Sequence, residues 1–234
     1  MKPQPSIVRV IDLETTGNAP PAHGVVEIGW QDVALKADGR WELEGEGGHR
    51  LVNPGRAIPP VTMAVHHIRD EDVADAPWWH DCARPILDPW PRRVALAAHR
   101  ADFEQGFCTP ALTRNADWIC TWKCALRLWP DSPAFSNQIL RYWRNPRGLD
   151  HERGLPAHRA FPDAYVTAHH LRDMLNEASV AQLIDWSTYR SGCEHRLGGC
   201  GPVASCQDAR VVGFVASSEV ARVAGCLAAL VWDR

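Results

Sequence analysis

The sequence predicts an α/β fold built on a mixed β-sheet. Three observations support this fold class: an apolar, β-branched run at residues 6–13, two strand-like segments at 25–35 and 41–52, and alternating strand-like and helix-like segments up to residue 177. Strands that come first in the chain and then alternate with helices indicate a sheet that mixes antiparallel and parallel pairs.

The first three strands are predicted from their composition and from one turn. SIVRVIDL at residues 6–13 is apolar and rich in β-branched side chains, which is typical of a buried strand. VVEIGWQDVAL (25–35) and WELEGEGGHRLV (41–52) predict two further strands. Asp38 and Gly39 lie between them and form a dipeptide that favours a tight hairpin turn.

The later elements alternate between strand and helix. IPPVTMAVHHI (58–68) predicts a helix that begins after its prolines, and VALAAH (94–99) predicts a short buried strand. DFEQGFCTPAL (102–112) predicts a helix directly after that strand. DAYVTAHHLRDMLNE (163–177) predicts a long amphipathic helix, with Pro162 at its entrance.

Length and composition limit the class of protein. The 234 residues suffice for one good-sized domain with an appendage, and we predict a domain at residues 1–177 followed by a tail at 178–234. No run approaches the roughly 18 consecutive apolar residues of a membrane span, and the N-terminus lacks the apolar core of a secretory signal. We therefore expect a cytoplasmic protein with no membrane partner. A net charge of −3 argues against a general polyanion-binding surface but leaves room for a local basic groove.

The tail differs in character from the rest of the chain. From about residue 187 its apolar residues follow no clear period until a late stretch rich in Val and Ala. Its Cys193, His195, Cys200 and Cys206 match no spacing of a structural zinc site. A frameshifted reading of a GC-rich gene and a divergent, weakly ordered tail are both open hypotheses, and we assign the tail no function.

The segment VIDLETTG, at residues 10–17, places two acids at the end of a buried strand. Side chains alternate along a strand, so Asp12 and Glu14 point to the same face. Two carboxylates held this close repel each other, and a divalent cation such as Mg²⁺ or Mn²⁺, which prefers hard oxygen ligands, relieves that repulsion. The following Thr-Thr-Gly predicts a turn at which the backbone approaches a ligand closely.

Two further motifs follow in the chain. AAHRADFE lies at 97–104, and HRAFPDA lies at 158–164 with its histidine five residues before its aspartate. With VIDLETTG, this ordered set resembles the DnaQ-like (DEDDh) 3′–5′ exonuclease family. The stretches at 57–78 and 118–137 are similar to those of the exodeoxyribonuclease X branch of that family, and the resemblance covers roughly residues 6–176.

The resemblance implies both a fold and an activity. The expected fold is a ribonuclease H-like mixed five-stranded sheet flanked by helices. The expected activity is metal-dependent 3′–5′ hydrolysis of DNA at single-stranded or frayed 3′ ends, which releases 5′-mononucleotides in DNA repair or proofreading-type processing. Two alternatives stay open: an exoribonuclease that trims RNA, and a module that binds 3′ ends without cutting them. Protein partners are not predicted.

The resemblance also implies roles for the motif residues. Asp12, Glu14 and Asp163 are expected to ligate two Mg²⁺ ions, for which Mn²⁺ can substitute, with Asp12 bridging the pair. His158 is expected to take the proton of the attacking water, a role that suits imidazole because it titrates near neutral pH.

The second motif departs from the family pattern. Glu104 stands where the family usually has aspartate, and Arg100 stands where it usually has asparagine. Asp102 is the alternative fourth ligand, but two positions on a helix differ by about 200° of rotation, so both acids cannot face the metals equally. We favour Glu104, because Phe103 then keeps its place in the motif.

Substrate contacts are predicted from the turn after the first strand and from an aromatic, arginine-rich segment. Tyr142 and Trp143 are interleaved with arginines, and aromatic and guanidinium groups together stack bases and hold phosphates. The predicted contact residues are Thr15, Thr16, His67, Arg144 and Arg147.

Overall fold

A five-stranded sheet forms the centre of the part of the chain that the structure describes. The computed structural model describes residues 6–88 and 93–188. The strands in these residues are β1 (Ile7–Thr15), β2 (Val25–Leu35), β3 (Trp41–Leu51), β4 (Arg93–Ala98) and β5 (Trp118–Cys120).

The sheet is mixed, as the sequence predicts. Its strand order is β3-β2-β1-β4-β5. The pairs β1–β2 and β2–β3 are antiparallel, whereas β1–β4 and β4–β5 are parallel. The predicted α/β class with a mixed five-stranded sheet flanked by helices is therefore confirmed.

Helices follow the third strand and cover both faces of the sheet. In the described residues they are α1 (Pro60–His66), α2 (Asp70–Val73), α3 (Trp79–Leu87), α4 (Asp102–Phe107), α5 (Pro110–Thr113), α6 (Thr121–Leu128), α7 (Asn137–Arg144), α8 (Ala160–Glu177) and α9 (Val180–Thr188). The long helix α8 packs across β1, β2 and β3.

Strand alternation divides the core into two layers. Val8 and Val10 of β1 belong to the cluster that includes the buried residues of α8, whereas Ile11 and Leu13 belong to the cluster that includes α3. Asp12 and Glu14 continue the Val8–Val10 series, so both acids lie on the α8 side of the sheet.

Two predicted helices differ from the observed ones. The prediction of a single helix at 102–112 is wrong, because the segment forms two short helices, α4 and α5. The break comes just before Pro110, because a proline disfavours helical backbone in the residue that precedes it. The helix expected from residue 163 already begins at Ala160, with Pro162 in its first turn, where a missing N–H leaves no hydrogen bond unmade.

The predicted tail is described only at its start. Leu183 of α9 is fully buried in the core cluster that α8 lines, so this helix packs onto the sheet domain. The rest of the tail lies outside the described residues. The predictions that concern it, the spacing of its four cysteine and histidine positions and the frameshifted reading, are therefore untested. No helix in residues 6–88 and 93–188 has both the length and the apolar character to cross a bilayer.

Candidate active site

Three carboxylates meet where β1 ends and α8 begins. Asp12 is partly exposed and Glu14 is buried, and both project from β1 towards α8. Asp163 is buried in the first turn of α8. One carboxylate oxygen from each of the three lies within 4.8 Å of the other two. Residues 12 and 14 are thus brought together with a residue about 150 positions later in the chain.

Hydrogen bonds hold the Asp163 carboxylate in place. Its Oδ1 accepts from Gln138 Nε2 at 2.9 Å and from Asn137 Nδ2 at 3.4 Å, and its Oδ2 accepts from the backbone N–H of His158 at 2.7 Å. Burial raises the pKa of Asp163, while the N–H and the charge of His158 and the two amides oppose that shift. The first two residues of α7 therefore support a carboxylate of α8.

His158 lies beside this carboxylate with its side chain exposed. Its backbone has a φ of 61°, in the left-handed region that non-glycine residues adopt only uncommonly. The same conformation lets its N–H donate to Asp163. The candidate base and the candidate ligand are therefore coupled through the main chain, and the imidazole is accessible to water.

The two acids of the second motif lie in different surroundings. Glu104 is buried on α4, a helix that packs against β1. Asp102 has a 73% exposed side chain and forms an ion pair with Lys123 at 3.1 Å. In the described residues, the oxygens within 4.8 Å of one another do not include one from Glu104. Burial beside β1 is a property of Glu104 and not of Asp102.

Both threonines after the two strand acids are engaged within the turn that they begin. Thr15 Oγ1 donates to the carbonyl of Gly17 at 2.8 Å, and Thr16 Oγ1 accepts from the N–H of Gly24 at 3.0 Å. Both side chains are buried. These bonds fix the chain directly after the carboxylates, and a substrate contact through either residue stays a prediction.

Of the adjacent histidines, His67 is exposed and His66 is buried. His67 follows α1 with a φ of 59°, and its N–H donates to the carbonyl of Met63 at 2.8 Å. His66 Nδ1 accepts from the N–H of Ile68, and burial lowers the pKa of His66 to about 4. The neutral ring of His66 lies near Thr15 and Glu27.

The two predicted arginine contacts form ion pairs within the protein. Arg147 is paired with Glu42 of β3 at 2.6 Å. Arg144 is paired with Glu177 at 3.7 Å, and its guanidinium lies over the Trp129 ring at 4.5 Å from the centroid. Substrate binding by Arg144 and Arg147 stays a prediction and would have to compete with these acids.

A buried ion pair beside the carboxylates escaped the sequence analysis. Glu27 of β2 is 1% exposed and is bound through two hydrogen bonds by Arg159, the residue after His158. Although burial alone would raise it, the hydrogen bonds from Arg159 and from the N–H of Ala160 lower the pKa of Glu27. One signal was present in the sequence: a lone acid inside the apolar run VVEIG must find a partner when the strand is buried.

The donor set fits a divalent cation. Three carboxylates at this spacing offer only hard oxygen ligands, and they crowd negative charge into a partly buried site. The raised pKa of Asp163 expresses the burial of that charge, which a bound cation would compensate. Partial exposure of Asp12 leaves the cluster accessible to solvent.

Comparisons with known proteins identify the family. The RNase_T exonuclease family model matches residues 9–171. Exodeoxyribonuclease 10 of Escherichia coli (strain K12) is 36% identical over 170 residues, which cover 73% of this chain and 69% of that protein. The chain belongs to the DnaQ-like 3′–5′ exonuclease family.

Other members of this exonuclease family support the same assignment. The solved structure of exonuclease X in complex with 5′-overhanging duplex DNA is 33% identical, with a TM-score of 0.58, and the match covers 77% of this chain and 99% of that one. The DNA polymerase III subunit epsilon of Pasteurella multocida is 30% identical over 141 residues, 54% of this chain and 53% of that protein. The expected ribonuclease H-like exonuclease fold is thereby confirmed.

Proposed function

We propose that this exonuclease is a divalent-metal-dependent 3′–5′ exodeoxyribonuclease that releases 5′-mononucleotides from single-stranded or frayed 3′ ends of DNA. The observation that carries the proposal is the convergence of Asp12, Glu14 and Asp163 oxygens within 4.8 Å, beside the exposed His158. The choice of DNA is supported by its similarity to exodeoxyribonuclease 10 and to an exonuclease X that was solved with DNA.

In this proposal the carboxylates of Asp12, Glu14 and Asp163 hold two Mg²⁺ ions, for which Mn²⁺ can substitute, and Glu104 completes the ligand set. When bound, such ions stabilise charge on the attacking and leaving oxygens of a phosphoryl displacement. Glu104 is preferred to Asp102 because it is buried on the helix that packs against β1, whereas Asp102 is paired with Lys123.

The chain's own residues supply the base and its orientation. A ring nitrogen of His158 takes a proton from water, and the water oxygen attacks the terminal phosphorus. The bond from phosphorus to the 3′ oxygen of the penultimate nucleotide breaks, and that oxygen takes up a proton as the 5′-mononucleotide leaves. The carboxylate of Asp163 accepts a hydrogen bond from the backbone N–H of His158 and so limits where the imidazole can lie.

Substrate contacts in the proposal follow the predicted residues. The turn that begins with Thr15 and Thr16 and the exposed His67 are proposed to meet the terminal nucleotide, and Arg144 and Arg147 the strand that leads to it. DNA repair or proofreading-type processing in the cytoplasm is the proposed setting, supported by the similarity to a DNA polymerase III epsilon subunit.

The deciding experiment compares nucleic acids directly. Labelled single-stranded DNA and RNA of one sequence, and a duplex with a frayed 3′ end, are incubated with Mg²⁺, with Mn²⁺ or with chelator. We expect stepwise release of 5′-deoxymononucleotides with either metal, none with chelator, and none from Asp12→Ala. Faster release from RNA, or tight binding of 3′ ends without cleavage by the wild-type chain, would contradict the proposal.

A further inference from the structure

The strand beside the carboxylates also holds the start of α8. In the antiparallel register of β1 and β2, Gly29 is the partner of Asp12 and Glu27 is the partner of Glu14. A Cβ on Gly29 would overlap the backbone of Ala160. The first turn of α8 therefore lies directly on β2, next to the strand that carries the two acids, at a separation that only glycine permits.

Glu27 binds this first turn with both of its carboxylate oxygens. Oε2 accepts from Arg159 Nε at 2.9 Å and from the N–H of Ala160 at 3.1 Å. Oε1 accepts from Arg159 Nη2 at 2.7 Å and contacts His49 Nδ1 at 2.6 Å. A carboxylate with two charge-assisted bonds to one planar guanidinium fixes the direction as well as the distance of its partner.

The contact replaces a cap that α8 does not have in its own sequence. Arg159 is the N-cap residue of α8 and makes no side-chain capping hydrogen bond. The first helical N–H, that of Ala160, is satisfied instead by Glu27 from another strand. Negative charge at this position also interacts favourably with the helix dipole. The start of α8 is thus fastened to β2, in addition to the hydrogen bond that Asp163 accepts from the N–H of His158 in the preceding loop.

The fastened residues lie between the two candidate groups of the site. Arg159 directly follows His158, and Ala160 precedes Asp163 by less than one helical turn. A shift of the Arg159–Ala160 unit relative to β2 would therefore move the imidazole and the carboxylate together, away from Asp12 and Glu14.

We propose that Glu27 is a positioning residue for catalysis, which sets the distance of His158 and Asp163 from Asp12 and Glu14. It is not a metal ligand, because both of its oxygens are occupied by Arg159, Ala160 and His49. This inference rests on the proposed function, and it adds a role for a residue outside the three family motifs.

The chain offers a matched control for Glu27. Arg9 of β1 and Asp32 of β2 form a second paired guanidinium and carboxylate, with bonds of 2.8 and 2.7 Å. This pair joins β1 to β2 near the end opposite to the carboxylate cluster, whereas Glu27 joins β2 to the start of α8. Glu27→Gln and Asp32→Asn therefore remove one charge each from a partly buried ion pair, but only Glu27 contacts the start of α8.

Three measurements on the full chain separate positioning from stability. Amide hydrogen exchange of residues 156–165, measured without metal, reports how firmly the segment is anchored. Titration with Mn²⁺ reports the metal affinity of the carboxylate cluster. The values of kcat and KM are measured on single-stranded DNA at saturating Mg²⁺. For Glu27→Gln we expect faster exchange in the segment, weaker Mn²⁺ binding, and kcat lowered about 10- to 100-fold with KM nearly unchanged, as for a misplaced catalytic group. Asp32→Asn should lower the melting temperature without these three changes.

A second variant covers the case in which Glu27→Gln does not fold. Arg159→Lys keeps the charge but loses the two-pronged geometry, so it should give the same changes in smaller measure. The positioning role would be overturned if the folded Glu27→Gln or Arg159→Lys variant showed the same hydrogen-exchange rates in residues 156–165 and the same kcat as Asp32→Asn. If the wild-type chain releases no nucleotides, the proposed function fails, and hydrogen exchange and Mn²⁺ binding still decide whether Glu27 positions the segment.

Discussion

Glu14 on β1 and Glu27 on β2 are direct partners in the antiparallel register, and Arg159 binds Glu27 through two hydrogen bonds. The hydrogen bond to Glu27 raises the pKa of the Arg159 guanidinium, and the guanidinium also lies close enough to Glu14 for the charge of Glu14 to raise that pKa further. Arg159 is thereby paired with the acid that contacts the start of α8, while one oxygen of Glu14 lies within 4.8 Å of one each from Asp12 and Asp163. Neighbouring acids on two strands thus have different surroundings.

The carboxylate cluster predicts a specific response to Asp12→Asn. We expect Mg²⁺-dependent nucleotide release to fall at least about 10³-fold, because metal stabilisation of phosphoryl transfer contributes several kcal/mol. Without metal, the variant should melt at the same or a higher temperature than the wild type, since one of three crowded negative charges is gone. Added Mg²⁺ should raise the melting temperature of the wild type alone. Equal Mg²⁺ stabilisation of both proteins would contradict a site at Asp12.

The second motif is tested by a pair of isosteric substitutions. Glu104→Gln should lower kcat by about 10-fold or more and raise the Mg²⁺ concentration needed for half-maximal activity, because it removes a buried negative charge beside β1. Asp102→Asn should leave both values within about twofold, because the Asp102 side chain is 73% exposed and is paired with Lys123 rather than buried beside β1. The opposite ranking of the two variants would make Asp102 the fourth ligand.

The strands and the first two acids could be predicted from local pattern. Strand alternation gave Asp12 and Glu14 one face, and the Asp38-Gly39 turn gave the β2–β3 hairpin, because both features depend only on neighbouring residues. The three-residue strand β5 was missed, since so short a segment carries no period. Asp163 and His158 were predicted through the family resemblance alone, because nothing local indicates that α8 begins at the end of β1.

The supporting residues around the site could not be predicted in the same way. Arg159 and Glu27 are 132 positions apart, and their contact depends on how closely α8 approaches Gly29. Asn137 and Gln138 support Asp163 from α7, a helix that the sequence pattern did not separate from its surroundings. Such contacts follow from packing between elements, whereas propensity and period describe each element alone.

The arginine-rich segment at the end of α7 gives a prediction about salt. Arg147→Ala and Arg144→Ala should weaken binding of single-stranded DNA, and the slope of log affinity against log salt should become shallower by about 0.7 for each phosphate that is no longer neutralised. Glu42→Gln frees Arg147 from its 2.6 Å ion pair and should strengthen binding. These slopes are read from titrations of a fluorescent oligonucleotide, with chelator present to prevent cleavage. Affinity that is unchanged in all three variants would remove Arg144 and Arg147 from the substrate path.

Buried neutral histidines predict that the fold loses stability in mild acid. His170 of α8 is fully buried, with Nε2 at 3.3 Å from the carbonyl oxygen of Asn137, and burial lowers its pKa to about 3. Burial likewise lowers the pKa of His66 and of His169 to about 4. These three side chains stay neutral in the folded chain at pH values where they are protonated in the unfolded chain.

The sign of the effect follows from proton binding. Below pH about 6.5 the unfolded chain takes up protons that the folded chain excludes, so the free energy of unfolding falls as the pH drops towards about 4. The contribution of these histidines to stability is fully present above pH about 6.5. His170→Gln removes one titrating group, and it should make this fall shallower by up to about 1.4 kcal/mol per pH unit. Urea denaturation of both proteins between pH 5 and pH 7.5 measures the difference in slope. Parallel curves would mean that His170 titrates with the same pKa in the folded and the unfolded chain, because only then does it bind the same number of protons in both states.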